Sequence, residues 1–213
     1  MQGRGIMRAF LRALRRDRRG VAFVEFAFAA PIFVTLVLAG LELANMAIAY
    51  MRVSQIAMTV ADDSGRVMTG IDEANIEEVF AGAELIGQPL KFKEHGRVVL
   101  SSLEPNGRTD KKAGQMITWQ RCFGDLNVAP AYGVEGDGKN NKSLRNGLGA
   151  TGNQIASSDG TAVMFVEVTY DYQPMIGTGF FTPPRMRYES AFNVRGRQNN
   201  AITNTQQLTV ASC

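Results

Sequence analysis

Residues 20–50 read GVAFVEFAFAAPIFVTLVLAGLELANMAIAY, and the 16 residues from Phe26 to Leu41 carry no charge. A helix over residues 26–50 is about 37 Å long at 1.5 Å per residue, enough to cross a hydrocarbon core of ~30 Å. Glu42 and Asn45 lie inside that stretch, towards its far end. We therefore expect one membrane-spanning helix that carries polar residues near one interface.

The charges are divided unevenly along the chain. The total of 23 Lys and Arg against 20 Asp and Glu gives a net charge of +3. Residues 1–20 hold seven arginines and one acid, which is +6, so the remainder has 16 bases and 19 acids, which is −3. Basic flanks stay in the cytoplasm, so we expect the N-terminus inside and the C-terminal part outside. An acidic C-terminal part also argues against a nucleic-acid-binding domain.

Motifs for catalysis and for metal or cofactor binding are weak. The single histidine, His95, disfavours His-based zinc sites and triads, and two cysteines cannot complete a zinc site alone. Residues 147–152 spell GxGxxG, but no strand leads into them and no amphipathic helix leaves them. Glu135, Asp137 and Asn140 suggest a calcium loop without the required bidentate Glu. We expect no active site, no metal and no cofactor.

The apolar segment has three interpretations. The simplest is an uncleaved membrane anchor. A secretory signal peptide would use Ala47-Ile48-Ala49 and be cut before Tyr50, but its apolar region exceeds the usual ~7–15 residues. In addition, Glu42 and Asn45 would separate that region from the cut. The third interpretation rests on residues 20–26.

A glycine ends the basic leader, and a glutamate followed by an aromatic residue comes five positions later, at Gly20, Glu25 and Phe26. This pattern resembles type IV prepilins of the Flp/Tad kind. With Arg18-Arg19 before it and Pro31 after it, the segment resembles the N-terminus of TadE-like minor pseudopilins of bacterial tight-adherence pilus systems. The resemblance implies that a prepilin peptidase cuts after Gly20 and leaves Val21 as the new N-terminus.

The spacing of these residues suits both cleavage after Gly20 and pairing of the new amine with Glu25. Glycine has no side chain to obstruct a protease. The cut would create a cationic amine at Val21, and Glu25 would lie on the same helical face, four residues on. In a bundle of helices, Glu25 can pair with the amine of a neighbouring subunit, which favours assembly and fixes register. Alternatively, Glu25 is an interfacial acid favoured by the helix dipole.

Beyond the span, the pattern predicts more helix and then strands. Residues 52–68 repeat apolar positions at three- and four-residue steps, at Val53, Ile56, Ala57, Val60, Ser64, Val67 and Met68. A second helix should start at an Asp72 N-cap and end at Gly87 and Pro89. We expect four strands, at Arg97–Leu103, Gln115–Phe123, Thr161–Tyr172 and Arg185–Val194.

On the second of these strands, Gln115–Phe123, alternation puts Ile117, Trp119 and Arg121 on one face. Residues 133–160 are expected to form a long exposed loop. The segments 166–174 and 190–195 also resemble the C-terminal part of TadE-like proteins, in the right order. The fold class is thus α+β: a long membrane helix continuing into an amphipathic helix, then a small antiparallel sheet with a second helix, type IV pilin-like overall.

The two cysteines are far apart in sequence, at Cys122 and Cys213. If the domain is extracytoplasmic, they can form one disulfide that pins the tail to the sheet. Two unpaired thiols and an intermolecular bridge are the alternatives.

We expect five regions: a leader at 1–20, a transmembrane and assembly helix at 21–50, a helical segment at 51–87, a β-rich domain at 88–197 and a polar tail at 198–213. The resemblance implies a non-enzymatic minor pilin or pseudopilin that takes part in assembling a Tad/Flp adhesion pilus. Its partners would be the inner membrane, the prepilin peptidase, other pilins and Tad secretion components, with the C-terminal domain in the periplasm. The alternative is a secreted or membrane-anchored binding domain with a conventional signal or anchor. An extracytoplasmic enzyme with a site in residues 133–160 ranks third.

Overall fold

A computed structural model of the chain describes residue 13 and residues 20–177, 182–197 and 199–213. The expected leader, residues 1–20, therefore lies outside the described residues except for Ala13 and Gly20. The chain forms two compact units, Met1–Asn45 and Met46–Cys213.

The first long element is helix α1, Val21–Arg66, which at 1.5 Å per residue is about 69 Å long over its 46 residues. Its most apolar window has a mean hydropathy of 2.3 and no buried residue, so the helix is a candidate membrane span. Pro31 lies inside it without ending it. The Thr35 hydroxyl donates to the Pro31 carbonyl at 2.7 Å.

The second unit is built on residues 46–66 of α1. The buried face comprises Ala49, Val53, Ile56, Ala57, Val60, Ala61 and Ser64. These residues pack in one cluster with the rest of the apolar core. The predicted stripe is confirmed as far as Ser64. It was wrong at Val67 and Met68, because the helix ends at Arg66 and Met68 is exposed.

Helix α2, Glu73–Gly87, follows the short strand β1, Ile71–Asp72. The Asp72 carboxylate accepts from the Ala74 amide at 3.2 Å, and the Asp72 amide donates to the Asn75 side chain at 3.0 Å. The predicted N-cap is confirmed. At the other end, a Cβ on Gly87 would lie 2.4 Å from the Phe92 Cβ, so only glycine fits there. A 3₁₀ turn, Gln88–Leu90, and a short helix α3, Phe92–His95, lead into the sheet.

The main sheet has four strands: β2, Gly96–Pro105; β3, Gln115–Phe123; β4, Val163–Asp171; and β5, Arg185–Asn193. All neighbours are antiparallel, in the order β3-β2-β4-β5. A separate short strand, β6, Ile202–Thr203, pairs in parallel with β1. The α+β class is confirmed, with a long apolar helix, a further helix and a small antiparallel sheet.

The alternation expected along β3 is broken by an irregularity. Trp119 lies opposite Ser102 but Ile117 lies opposite the very next residue, Leu103, which leaves Thr118 as the extra residue of a bulge. As a result, Trp119 packs in the cluster that contains α1, whereas Ile117 packs in a second cluster on the other face. The prediction that both side chains share a face was wrong.

The second cluster lies on the outer face of the sheet, the face turned away from the helices. It joins Leu103, Ile117, Val163 and Phe165 from the strands to Leu144 and Leu148 from the loop at 133–160. The Gln115 side chain holds the same loop by donating to the Ser157 carbonyl and accepting from its amide, at 3.1 and 3.0 Å. The predicted long loop is confirmed and most of its residues are exposed, but the expectation of exposure was wrong at Leu144, Leu148 and Ser157. These residues are buried because the loop covers apolar surface that the sheet would otherwise leave in water.

A buried ion pair connects the start of α2 to β3. Both Glu73 and Arg121 are buried, and Arg121 Nη2 and Nε donate to Glu73 Oε1 at 2.5 and 2.9 Å. The remaining donor Nη1 reaches the Gln120 carbonyl at 2.7 Å and Glu135 at 3.1 Å. In the linear sequence Glu73 is an acid in the first turn of a helix, and nothing local indicates that it pairs with Arg121.

Breaking this pair should destabilise the second unit strongly. We expect Arg121→Met to cost about 3–5 kcal/mol, because it leaves the Glu73 carboxylate buried without its partner, and Arg121→Met with Glu73→Leu to recover much of that loss. The measurement is urea unfolding of the full chain in detergent micelles, followed by the fluorescence of Trp119, the single tryptophan.

The matched control is Glu84→Ala, which removes an exposed pair with Lys93 at 3.6 Å and should cost less than about 1 kcal/mol. Equal losses for Arg121→Met and Glu84→Ala would contradict the role given to the buried pair.

Candidate functional site

The predicted processing segment, Gly20–Phe26, lies at the start of α1. Gly20 is a turn residue, and its carbonyl accepts the first helical hydrogen bond, from the Val24 amide at 3.1 Å. Gly20 and Val21 are both exposed. The peptide bond that joins them therefore lies at the boundary between turn and helix, where another protein can reach it.

The described fold gives no reason for a glycine at position 20. A Cβ built there would have no described atom within 4 Å. Gly20 is also absent from the glycines with a positive φ. Alanine would fit the same backbone, so a requirement for glycine has to come from outside the described residues.

Glu25 and Phe26 are exposed in the second turn of α1, with 68% of Phe26 accessible. Helical spacing places Glu25 on the face of Val21. Within the described part of the chain, the Glu25 carboxylate has no hydrogen bond or ion pair, so it is available to a group on another molecule. The roles of Gly20, Val21, Glu25 and Phe26 in cleavage and assembly remain predictions.

The second predicted feature is the cysteine pair at the tail. The structure joins Cys122 and Cys213, 91 residues apart, in a disulfide with a Cα–Cα distance of 4.9 Å. Beside it, the Cys122 amide donates to the Ala211 carbonyl at 2.7 Å, and Trp119 Nε1 donates to the Asn200 carbonyl at 2.9 Å. The tail thus runs along β3, an edge strand of the sheet.

Asp72 anchors the same tail. Its Oδ2 accepts from the Thr203 hydroxyl at 2.7 Å and from the Thr205 amide at 3.0 Å, while its Oδ1 caps α2. These bonds, that of Thr203 first, lower the pKa of Asp72 to about 2. The Asp72 carboxylate therefore binds both the start of α2 and the tail. The local sequence indicates its role as an N-cap but not its bonds to the tail.

Arg197 closes the end of α1. This buried guanidinium donates from Nη1 to the carbonyls of Ser64, at 3.2 Å, and Val67, at 3.4 Å, and from Nε to Asn200 at 3.2 Å. Burial lowers the pKa of Arg197. A cation at the C-terminal end of a helix donates to carbonyls that have no partner within the helix, and it interacts favourably with the negative end of the helix dipole. Nothing in the local sequence around Arg197 indicates this role.

The weak motifs of the sequence have structural roles. The GxGxxG residues lie in a loop that contains no helix, and a Cβ on Gly147 would come within 1.9 Å of the Ile155 carbonyl. Glu135 is bonded to Arg121, and Asp137 accepts from the Val134 amide at 2.9 Å. Among the described residues, no three His, Cys, Asp or Glu side chains group so that they could hold a metal.

Loss of the disulfide should weaken the second unit. Opening a 91-residue loop by Cys213→Ser should cost up to about 4–5 kcal/mol in loop-closure entropy. Urea unfolding of the oxidised full chain, with and without the substitution, measures this difference. Thr209→Val, in the exposed tail, is the control and should leave the midpoint unchanged. A cost below about 1 kcal/mol for Cys213→Ser would contradict an anchoring role.

The Asp72 carboxyl should titrate abnormally. Its pKa is lowered from 3.8 to about 2 in the fold, so its ionised form stabilises the protein above pH 3.8, and this contribution is lost as the pH falls through about 2. NMR of the side-chain carboxyl carbon reports the midpoint directly. Thr203→Val should raise that pKa and Thr209→Val should not. An unchanged titration midpoint of Asp72 in Thr203→Val would show that the Thr203 bond is not the main cause of its lowered pKa.

Comparison with known proteins gives one family. Residues 20–62 match the family model described as TadE-like protein, which covers α1 from the proposed cut to its last turn. The resemblance found in the sequence is thereby confirmed over this segment. No match was found among curated proteins or among solved structures.

Proposed function

We propose that this TadE-like chain is a minor pilin or pseudopilin that a prepilin peptidase cuts between Gly20 and Val21 and that takes part in assembling a Tad/Flp pilus. The observation that carries the proposal is the family match over residues 20–62, which begins at the proposed cleavage residue. The exposed start of α1 supports it, because both residues of the scissile bond are accessible.

Cleavage would prepare the helix for assembly. A new α-amine at Val21 places a positive charge at the helix start, and Glu25 lies one turn away on the same face. In an apolar bundle a lone carboxylate is unfavourable, so Glu25 is expected to pair with the amine of an adjacent subunit. Its exposure and lack of partners within the described chain support this role.

The arginine-rich residues 1–20 favour a cytoplasmic N-terminus, and the second unit, Met46–Cys213, would then be periplasmic. The Cys122–Cys213 disulfide supports that placement, since such bonds persist in oxidising compartments such as the bacterial periplasm. The partners we propose are the inner membrane, the peptidase, other pilins and Tad secretion components. The activity is assembly rather than catalysis.

The alternative, a conventional signal cut before Tyr50, has less support. Residues 47–50 lie inside the continuous helix α1, and Ala49 is fully buried in the core of the second unit. Cutting there would remove a core residue from the secreted domain.

Processing can be tested on the full chain in a host that contains the peptidase. We expect the mature protein to begin at Val21, as read by intact mass and N-terminal sequencing, and Gly20→Val to remain at full length because its side chain obstructs the protease. Glu25→Ala should be inserted in the membrane but fail to support pilus assembly.

Glu78→Ala is the matched control, since it removes an exposed helical carboxylate from α2 and should assemble normally. A mature N-terminus at Tyr50 would overturn the proposal in favour of a signal peptide. Normal pili with Glu25→Ala would refute the pairing role.

A further inference from the structure

The two edge strands of the main sheet differ in their backbone partners. At the β3 edge, the tail contributes backbone contacts, such as the bond from the Cys122 amide to the Ala211 carbonyl. At the opposite edge, β5 runs for nine residues and, within the described ranges, pairs only with β4. An unpaired edge presents a row of backbone donors and acceptors that another strand can use.

The exposed side chains of β5 carry opposite charges two residues apart. Arg187 and Glu189 are both exposed and share the outer face, because alternate residues of a strand point the same way. Arg185 is paired with Asp171 at 2.6 Å, but Arg187 makes no ion pair in the described part of the chain. Tyr188 lies between them, on the other face, and is 39% exposed.

On the same face, Glu189 already lies beside another acid. Its cross-strand partner on β4 is Glu167, which is buried and whose pKa is raised mainly by that burial. Like charges directly opposite each other destabilise a sheet. The Tyr132 hydroxyl donates to Glu189 Oε1, and this bond is the main cause that raises the pKa of Tyr132 to about 12. The charge of Arg187 on the same strand acts on Glu167, but Glu189 makes no ion pair among the described residues, so its Oε2 is open to a further cation.

A second copy of β5 supplies that cation. When two copies of β5 pair antiparallel with Tyr188 opposite itself, Arg187 of each copy lies opposite Glu189 of the other. A shift of the centre to Glu189 places two glutamates opposite each other. A shift to Arg187 places two arginines opposite each other and puts Glu189 opposite Arg185, which is already paired with Asp171. The charge pattern therefore favours one register, in which both carboxylate pairs gain an arginine.

We propose that β5 is a self-association edge, through which two copies of this chain join their four-stranded sheets across a two-fold axis at Tyr188. Attachment of both copies to one membrane would raise their effective concentration. The proposal goes beyond the pilus role and does not depend on it, since it rests on the second unit alone.

Cross-linking of the full chain in membranes tests this pairing. Opposite residues in an antiparallel pair have Cα atoms about 4.5–5.5 Å apart, within the range of a disulfide. Tyr188→Cys should therefore give a covalent dimer on mild oxidation, with the Cys122–Cys213 bond retained. Ser143→Cys, in an exposed part of the loop, is the control and should stay monomeric.

Charge exchange in the Tyr188→Cys background tests the register. Arg187→Glu alone and Glu189→Arg alone each place like charges opposite one another twice, and each should lower the dimer fraction at least about threefold. The combined exchange, Arg187→Glu with Glu189→Arg, should restore it. Lys93→Glu controls for net charge, and Tyr132→Phe controls for loss of the tyrosine bond. Neither should change the dimer fraction, and Trp119 fluorescence should report a native fold in every variant.

Three results would overturn the proposal. The first is a Tyr188→Cys dimer no more abundant than that of Ser143→Cys. The second is a combined exchange that remains monomeric while its fold is native. The third is a cross-linked product whose mass shows a different protein at the edge.

Discussion

Packing of residues 49–64 of α1 against the inner face of the sheet is the contact on which the second unit depends. Small residues, Ala49, Ala57 and Ala61, lie on the buried face beside Val53 and Ile56, in the same core cluster as the strand side chains. Strands β2 and β4 supply the opposing side chains, among them Leu100 and Val166. The other elements secure this layer: α2 through its own apolar face, and the segment after β5 through Arg197 at the helix end.

Local signals made much of this architecture predictable. The apolar run and its arginine flank indicated α1, Asp72 marked the start of α2, and the β3 boundaries were right because alternation and turn residues agree there. The bulge at Thr118 was missed, since an extra residue in one strand is visible only against its partner. The burial of Leu144 and Leu148 was missed for a similar reason: the loop contains apolar residues at no regular period, and their contacts are with distant strands.

The residues of the candidate site also fall into those that could be predicted from the sequence and those that could not. Gly20, Glu25 and Phe26 could be found because they are close together in the chain and carry a recognisable spacing. The cysteine pair could be proposed because only two cysteines exist, although alternatives stayed open. The bonds of Asp72 to Thr203, of Arg121 to Glu73 and of Arg197 to Ser64 join residues far apart in the chain. Such charges look solvated in a linear sequence, and only the fold shows which ones are buried and paired.

The disulfide has a mechanical consequence. It closes a covalent ring from Cys122 to Cys213 that contains β4, β5 and β6, while α1, α2 and β2 lie outside it. A force applied along α1 is transmitted to this ring by two contacts. One is the bond from Arg197 to the Ser64 carbonyl, and the other is the bond from the Arg195 amide to the Gly65 carbonyl at 3.0 Å. If those contacts break, the 91 residues of the ring still cannot extend while the disulfide is intact, which excludes roughly 300 Å of chain length. Under tension, extension would therefore be confined to the residues outside the ring, and the ring would set a fixed upper limit to the length of the domain.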